Sequence, residues 1–269
     1  VDDIQWALLL GDLRAETDAL AGILSALDPA AWLTPTPAEG WDIHDQVVHL
    51  AFFDDLAGLG FTDAGGFEAR SAELLATGAD WVDRIGRERR GISPRDLLGW
   101  FGEARTSVLE TFERIGPRAR TPWFGPSMSA ASSATARLME TWAHQQDICD
   151  ALGIEHPATG GLRHICHLGV ITRSFAYGLR GRDVPDAAVR VEVTAPDGSA
   201  WAWGDEGLAD RISGDARDFA LVVTQRRHIA DTALEATPGA AAEWMSIAQA
   251  FAGSVGTGRP AGRFRAGGG

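Results

Sequence analysis

The sequence predicts a mainly α protein: an N-terminal helical bundle followed by a smaller α+β domain. Three observations lead there. Apolar residues recur at helical spacing in segment after segment up to about residue 180. After Arg182 the texture changes to strand-like alternation in VRVEVTAPDGSAWAW, interrupted by the turn signal Pro196-Asp197-Gly198. Apolar residues make up 45% of 269 positions, enough to give both units a core. The expected boundaries are 1–182 for the bundle, 183–258 for the α+β domain and 259–269 for a disordered tail.

Taken in order, residues 2–27 form the first helix, which ends at Asp28-Pro29. A loop with Pro35 and Pro37 follows, and Asp42 caps a helix running to about Gly58. Further helices occupy roughly 66–90, 94–115, 129–152 and 161–180, with Ser93-Pro94 supplying a cap and a first-turn proline. Gly116 to Gly125, with Pro117, Pro122 and Trp123-Phe124, is a long irregular connection. In the second domain two β segments flank the Pro-Asp-Gly turn. The stretch GDARDFALVVTQRR (214–227) is a helix, and another lies around 238–251.

Charge narrows the partners. The formal net charge is −13 and every basic residue is an arginine. So acidic a chain repels phosphate backbones and anionic membranes, which points to small-molecule partners rather than nucleic acid or lipid. Without lysine there is no Schiff-base chemistry and no Walker-type phosphate site. No apolar run approaches the roughly 18 to 20 residues of a membrane span. The opening VDDIQWALLLGDLRAE carries no basic leader, so a cytoplasmic location is expected. Cys149 and Cys166 lack CxxC spacing and read as small buried apolar residues. Monomer and homodimer are both compatible with the sequence.

Two helices hold the candidate chemistry. In METWAHQQDICD (139–150), a turn of about 100° per residue puts Glu140, His144 and Asp147 on one face, beside Arg137. Alone, this helix reads as one that shows its polar side to water. In GWDIHDQVVHLAFFDDLAG the case differs, because His49 projects among Phe52, Phe53 and Leu56. A buried imidazole needs partners, and Asp45, one turn earlier, is placed to fix its tautomer. The other ring nitrogen is then available either to a backbone carbonyl or to a cation. If the two faces meet, His49, Glu140 and His144 form a three-ligand site for a divalent ion, with an open position for water or substrate. Asp147 would orient a bound water or the His144 ring.

GWDIHDQVVHLA early and ETWAHQQD late, followed by a small α+β domain that includes GDARDFALVVTQRR, resemble the mycothiol-dependent maleylpyruvate isomerase family. That family belongs to the DinB-like metal-binding four-helix bundles. The resemblance implies a DinB-like bundle in which His49, Glu140 and His144 bind a divalent metal, usually Zn²⁺, and it implies mycothiol as a thiol cofactor. TQRRHIADTALEATPGAAAEWMSIAQAFAG marks a distinct branch. The expected activity is metal- and thiol-dependent isomerisation or S-transfer on a small electrophilic, carboxylate-bearing substrate. A non-catalytic metal- or ligand-binding module, or a thiol-independent hydrolase or lyase, are the rivals. Arg226 and Arg227 are candidates to grip a substrate carboxylate, and Trp123 and Phe124 to wall the cleft.

Overall fold

Each long helix of the first unit starts where a short polar side chain takes up the free N–H groups of its opening turn. The computed structural model describes residues 2–264. Helix α1 (Asp3–Ser25) opens with a capping box between Asp2 and Gln5, and α2 (Ile43–Thr62) with one between Asp42 and Asp45. The single helix expected over 66–90 is two, α3 (Ala64–Ala76) and α4 (Trp81–Arg89). The chain breaks around Gly78, whose φ of +115° few L side chains can adopt. Ser93 caps α5 (Pro94–Ile115), which starts on its proline, and Ser129 caps α6 (Ala130–Leu152). In the connection before α6, β1 (Arg120–Thr121) and β2 (Met128–Ser129) pair as a short antiparallel ribbon.

The apolar stripes of α1, α2, α5 and α6 share a core. Leu20 and Leu24 pack with Val47, Leu50, Phe101 and Ile148, and a second cluster gathers Leu9, Leu13, Phe112 and Leu138. A buried polar layer runs through this packing. Arg105 donates from Nε to Asp54 Oδ2 (2.8 Å) and from Nη2 to Asp54 Oδ1 (3.2 Å). It also donates from Nη1 to Thr17 Oγ1 (2.6 Å) and from Nη2 to Thr141 Oγ1 (3.0 Å). One guanidinium on α5 therefore ties α1, α2 and α6 together, with both members of its ion pair shielded from water.

Glu16 on α1 is also buried; it accepts a hydrogen bond from Thr159, and His156 Nε2 lies 3.7 Å away. Burial pushes its carboxyl up from an ordinary 4.5 to about 7, against the Thr159 hydrogen bond and the charge of Arg105, and with the help of Asp12. A raised carboxyl stabilises the fold below its unfolded value, and that stability is lost as pH climbs through the folded one. Stability should therefore fall by roughly 3 kcal/mol between pH 4.5 and 7 on this group's account. Denaturant titrations of wild type and Glu16→Gln across that range check it, and the variant's curve is expected to be the flatter.

The two compact units divide between Thr159 and Gly160, rather than near residue 182. The stretch expected as one helix over 161–180 is α7 (Leu162–Ile171) and α8 (Arg173–Gly178), and it belongs to the second unit. A packing detail explains the difference. Gly169 of α7 lies so close to α9 (Ala216–Val223) that an added Cβ would meet Val223 Cγ2 at 2.8 Å. The sheet beside them contains β3 (Val189–Thr194), β4 (Ala200–Trp203), β5 (Asp210–Asp215) and β6 (Glu235–Ala236), in the order β4-β3-β5-β6. β3 and β5 are parallel and the other pairs antiparallel.

The hairpin turn is the expected one, with Gly198 at φ +82° and Asp197 accepting from Ser199. Strand β5 was not expected. DRISGD offers one large apolar residue and no alternation, so the helix anticipated from Gly214 starts instead at Ala216, capped by Asp215. The helix expected over 238–251 is the shorter α10 (Ala240–Ile247). Of the tail anticipated over 259–269, residues 265–269 lie outside the described residues. Its first part is anchored: Gly262 and Phe264 donate backbone N–H groups to Asp231. No helix among the described residues is long and apolar enough to cross a membrane.

Candidate metal centre

His49 on α2 meets Glu140 and His144 on α6, one ligand atom from each lying within 4.8 Å of the others. Both imidazoles aim Nε2 at the same carboxylate oxygen: Glu140 Oε2 is 3.1 Å from His144 and 3.6 Å from His49. Their ring centroids are 4.4 Å apart. Two imidazole nitrogens and a carboxylate oxygen facing one another at this spacing are a donor set that suits Zn²⁺ or a similar first-row ion.

The polar face of α6 is not turned to water. Arg137, His144, Gln145, Gln146 and Asp147 are all buried, so the water-facing alternative for this helix is overturned. Burial by itself would raise the Glu140 carboxyl. The hydrogen bonds and charge of His144 and His49 outweigh it and hold the group well below the ordinary carboxylate range. Glu140 is thus ionised between the two rings.

The expected partner of His49 is corrected. Asp45 closes the α2 capping box with Asp42 and accepts from Arg90 Nη2 at 3.0 Å, while His49 Nδ1 is buried without a hydrogen-bond partner. The tautomer-fixing bond falls on the other imidazole and comes from a residue the sequence reading passed over. His144 Nδ1 donates to Gln46 Oε1, and Gln46 Nε2 donates to Thr36 Oγ1 at 2.8 Å. Gln46 lies three positions before His49, on the same helical face, and that spacing was the available signal. His144 Nδ1 is therefore held by Gln46. Asp147 itself lies buried about one turn further along α6.

Gln46→Ala should weaken zinc binding by about 10- to 100-fold with the fold retained, as loss of a partner that orients a ligand usually does. Competition with a chromophoric chelator measures the ratio, and an unchanged affinity would remove Gln46 from the site.

Aromatic rings enclose the imidazoles. Trp41 stacks on His144 (centroids 6.0 Å, interplanar angle 18°) and tilts against His49 at 5.3 Å; its indole N–H donates to Asp83 at 2.8 Å. Phe53 lies 4.5 Å from His49 and is in turn met by Trp123 (6.4 Å) and Phe124 (6.2 Å). The expected wall residues therefore form a ring cluster that continues from the Phe53 edge of the centre. Trp41 sits directly on it.

The remaining candidates have contacts of their own. Asp42, His44 and Asp45 also approach one another closely. Their carboxylates, however, serve the α2 cap and Arg90, and His44 Nε2 donates to the Ile92 carbonyl at 3.0 Å. Arg226 and Arg227 follow α9 in the second unit. Each donates from Nη1 to a nearby backbone carbonyl at 2.8 Å, and the Arg227 cation lies 3.9 Å from the centroid of Phe264. Both cysteines are buried, and burial pushes the Cys166 thiol up, consistent with inert packing.

The chain is similar to known proteins along most of its length. Two uncharacterized proteins of Mycobacterium tuberculosis, from strains CDC 1551 / Oshkosh and ATCC 25618 / H37Rv, are each 42% identical over 250 residues. The match covers 93% of this chain and 97% of theirs. A crystal structure of the mycothiol-dependent maleylpyruvate isomerase superposes with a TM-score of 0.58 at 13% identity, over 87% of this chain and 93% of that one. A mutant of the same enzyme superposes equally well, at 14% identity. At such identities the likeness is one of fold. The model of the mycothiol maleylpyruvate isomerase N-terminal domain matches residues 13–149, a span that contains His49, Glu140 and His144, and the chain is a member of that family.

Proposed function

We infer that the protein is a divalent-metal enzyme, with zinc as the ion its donors suit best. It would use a low-molecular-weight thiol of the mycothiol kind to isomerise, or transfer sulfur to, a small electrophilic carboxylate. The observation that carries this is the convergence of both imidazole Nε2 atoms on one Glu140 oxygen, between helices, with three protein donors among the described residues. Three donors leave room for an exogenous ligand, the arrangement of catalytic rather than structural zinc. When bound, the ion and the thiol together would supply a sulfur nucleophile at neutral pH, able to add to an activated double bond and leave again.

The chain's own residues would do the rest. With an ion bound, Gln46 would hold the His144 proton on Nδ1 and leave the Nε2 lone pair to the ion. Glu140 stays ionised between the two rings. Trp41 and Phe53 exclude water from the sides of the imidazole pair that they cover, which strengthens electrostatic contacts there. Asp147 would orient a water or substrate proton, and Trp123 and Phe124 would wall the thiol.

The family name supplies the first compounds to try. Zinc-loaded protein is assayed with maleylpyruvate and related electrophilic carboxylates, with and without mycothiol. Turnover that requires the thiol supports the proposal. Equal turnover without thiol would point to a hydrolase or lyase, and bound zinc with no turnover to a binding module.

A further inference from the structure

One cation beside the metal centre has no part in the function proposed above. Arg137 stands one turn before Glu140 on α6, on the ligand-bearing face. Its guanidinium lies over Phe53 and Trp123, 5.8 and 5.9 Å from their centroids, and Phe53 is the ring packed on His49. Arg137 is 4% exposed, and its Nη1 is buried without an acceptor.

The contrast with Arg105 is direct. That guanidinium, equally buried in the same bundle, has both oxygens of Asp54 and two hydroxyls around it. An arginine does not escape burial by losing its proton, so a buried one without a hydrogen-bonded partner is a destabilising feature. Aromatic faces offset only part of that cost. The surrounding charges sharpen the point. Asp54 is matched by Arg105, and Glu140 balances one of the two charges of a divalent ion. Glu140 and Asp54 lie near enough to act on the Arg137 charge, but neither accepts from its buried Nη1. Trp123, the ring over it, comes from the β1–β2 connection rather than from a helix.

We propose that Arg137 is the anion receptor of the metal cleft, its fork taking a carboxylate of the substrate through paired N–H···O bonds. This rests on the metal-site reading above, and the test separates the two. Succinate is titrated calorimetrically into zinc-loaded wild type, Arg137→Gln and Arg137→Met, with the zinc content and melting temperature of each measured.

Expected are equal zinc in all three, variants at least as stable as wild type, and succinate binding weakened at least tenfold in both variants. Equal succinate affinity across the three proteins would overturn the proposal, as would no binding by zinc-loaded wild type. So would both variants melting several degrees below wild type, since the guanidinium would then be a structural cation. If wild type takes up no zinc, the metal reading fails. The same succinate comparison in the metal-free proteins then decides the anion site.

Discussion

His49→Ala is expected to leave the purified protein with less than about a tenth of wild-type zinc, and to abolish mycothiol binding with it. The expectation follows from ligand number. Changing a residue that merely orients a ligand already lowers metal affinity by about 10- to 100-fold, and removing one of three donors costs more, on the order of a thousandfold. His49 is also the sole donor that α2 contributes; the other two belong to α6. Without it, Glu140 and His144 remain as a two-donor pair on a single helix. Elemental analysis after dialysis gives the zinc content, and circular dichroism verifies that the helices persist. Full zinc content in a folded His49→Ala protein would dismiss the site. Loss of zinc alone does not separate enzyme from binding module, which is why thiol binding is read on the same sample.

Asp54→Ala should be the most damaging single change to the fold, costing about 3 to 5 kcal/mol. Asp54 and Arg105 are both shielded from water, and removing the carboxylate strands a cation that keeps only two hydroxyl partners. In a unit of this size such a loss lowers the melting temperature by roughly 10 °C. Replacing both members together, as Asp54→Leu with Arg105→Met, removes the stranded charge and should recover most of the stability. A double-mutant cycle by denaturant unfolding reads both numbers. An Asp54→Ala protein within 1 kcal/mol of wild type would show that Arg105 finds other partners.

Much of the fold was legible, and the reasons for the misses are specific. Helices with a strong apolar period and a polar cap, such as α5 from Ser93-Pro94, were read almost to the residue. The break at Gly78 was missed because the apolar pattern runs on across it, and only the left-handed backbone reveals the interruption. β5 was missed because DRISGD draws its place from neighbouring strands rather than from its own side chains. The unit boundary moved because a small residue, Gly169, lets α7 settle on α9, a contact no periodicity announces.

At the site, the spacing in each helix nominated His49, Glu140 and His144, and the fold brings the three together. The spacing did not identify which neighbour serves which ring. Asp45 and Gln46 are one position apart on α2, and both fall near the His49 face. The α2 cap takes the carboxylate and leaves the amide for His144. Competition for a helix terminus is a local matter, but its outcome depends on Asp42 and Arg90 as well. Whether the polar side of α6 faces inward was equally closed to a single-helix argument, because the same pattern describes a wet surface and a buried site.

The four-helix clasp around Arg105 bears on how an ion is acquired. Small zinc modules assemble their backbone only as the ion arrives, so chelation unravels them. Here hydroxyls and a carboxylate from three helices already hold α2 and α6 in register without help from the ligands. For an ion held as proposed above, loading and unloading would be local exchange in a prebuilt socket. The ion's identity would follow donor chemistry and supply rather than any power to drive folding.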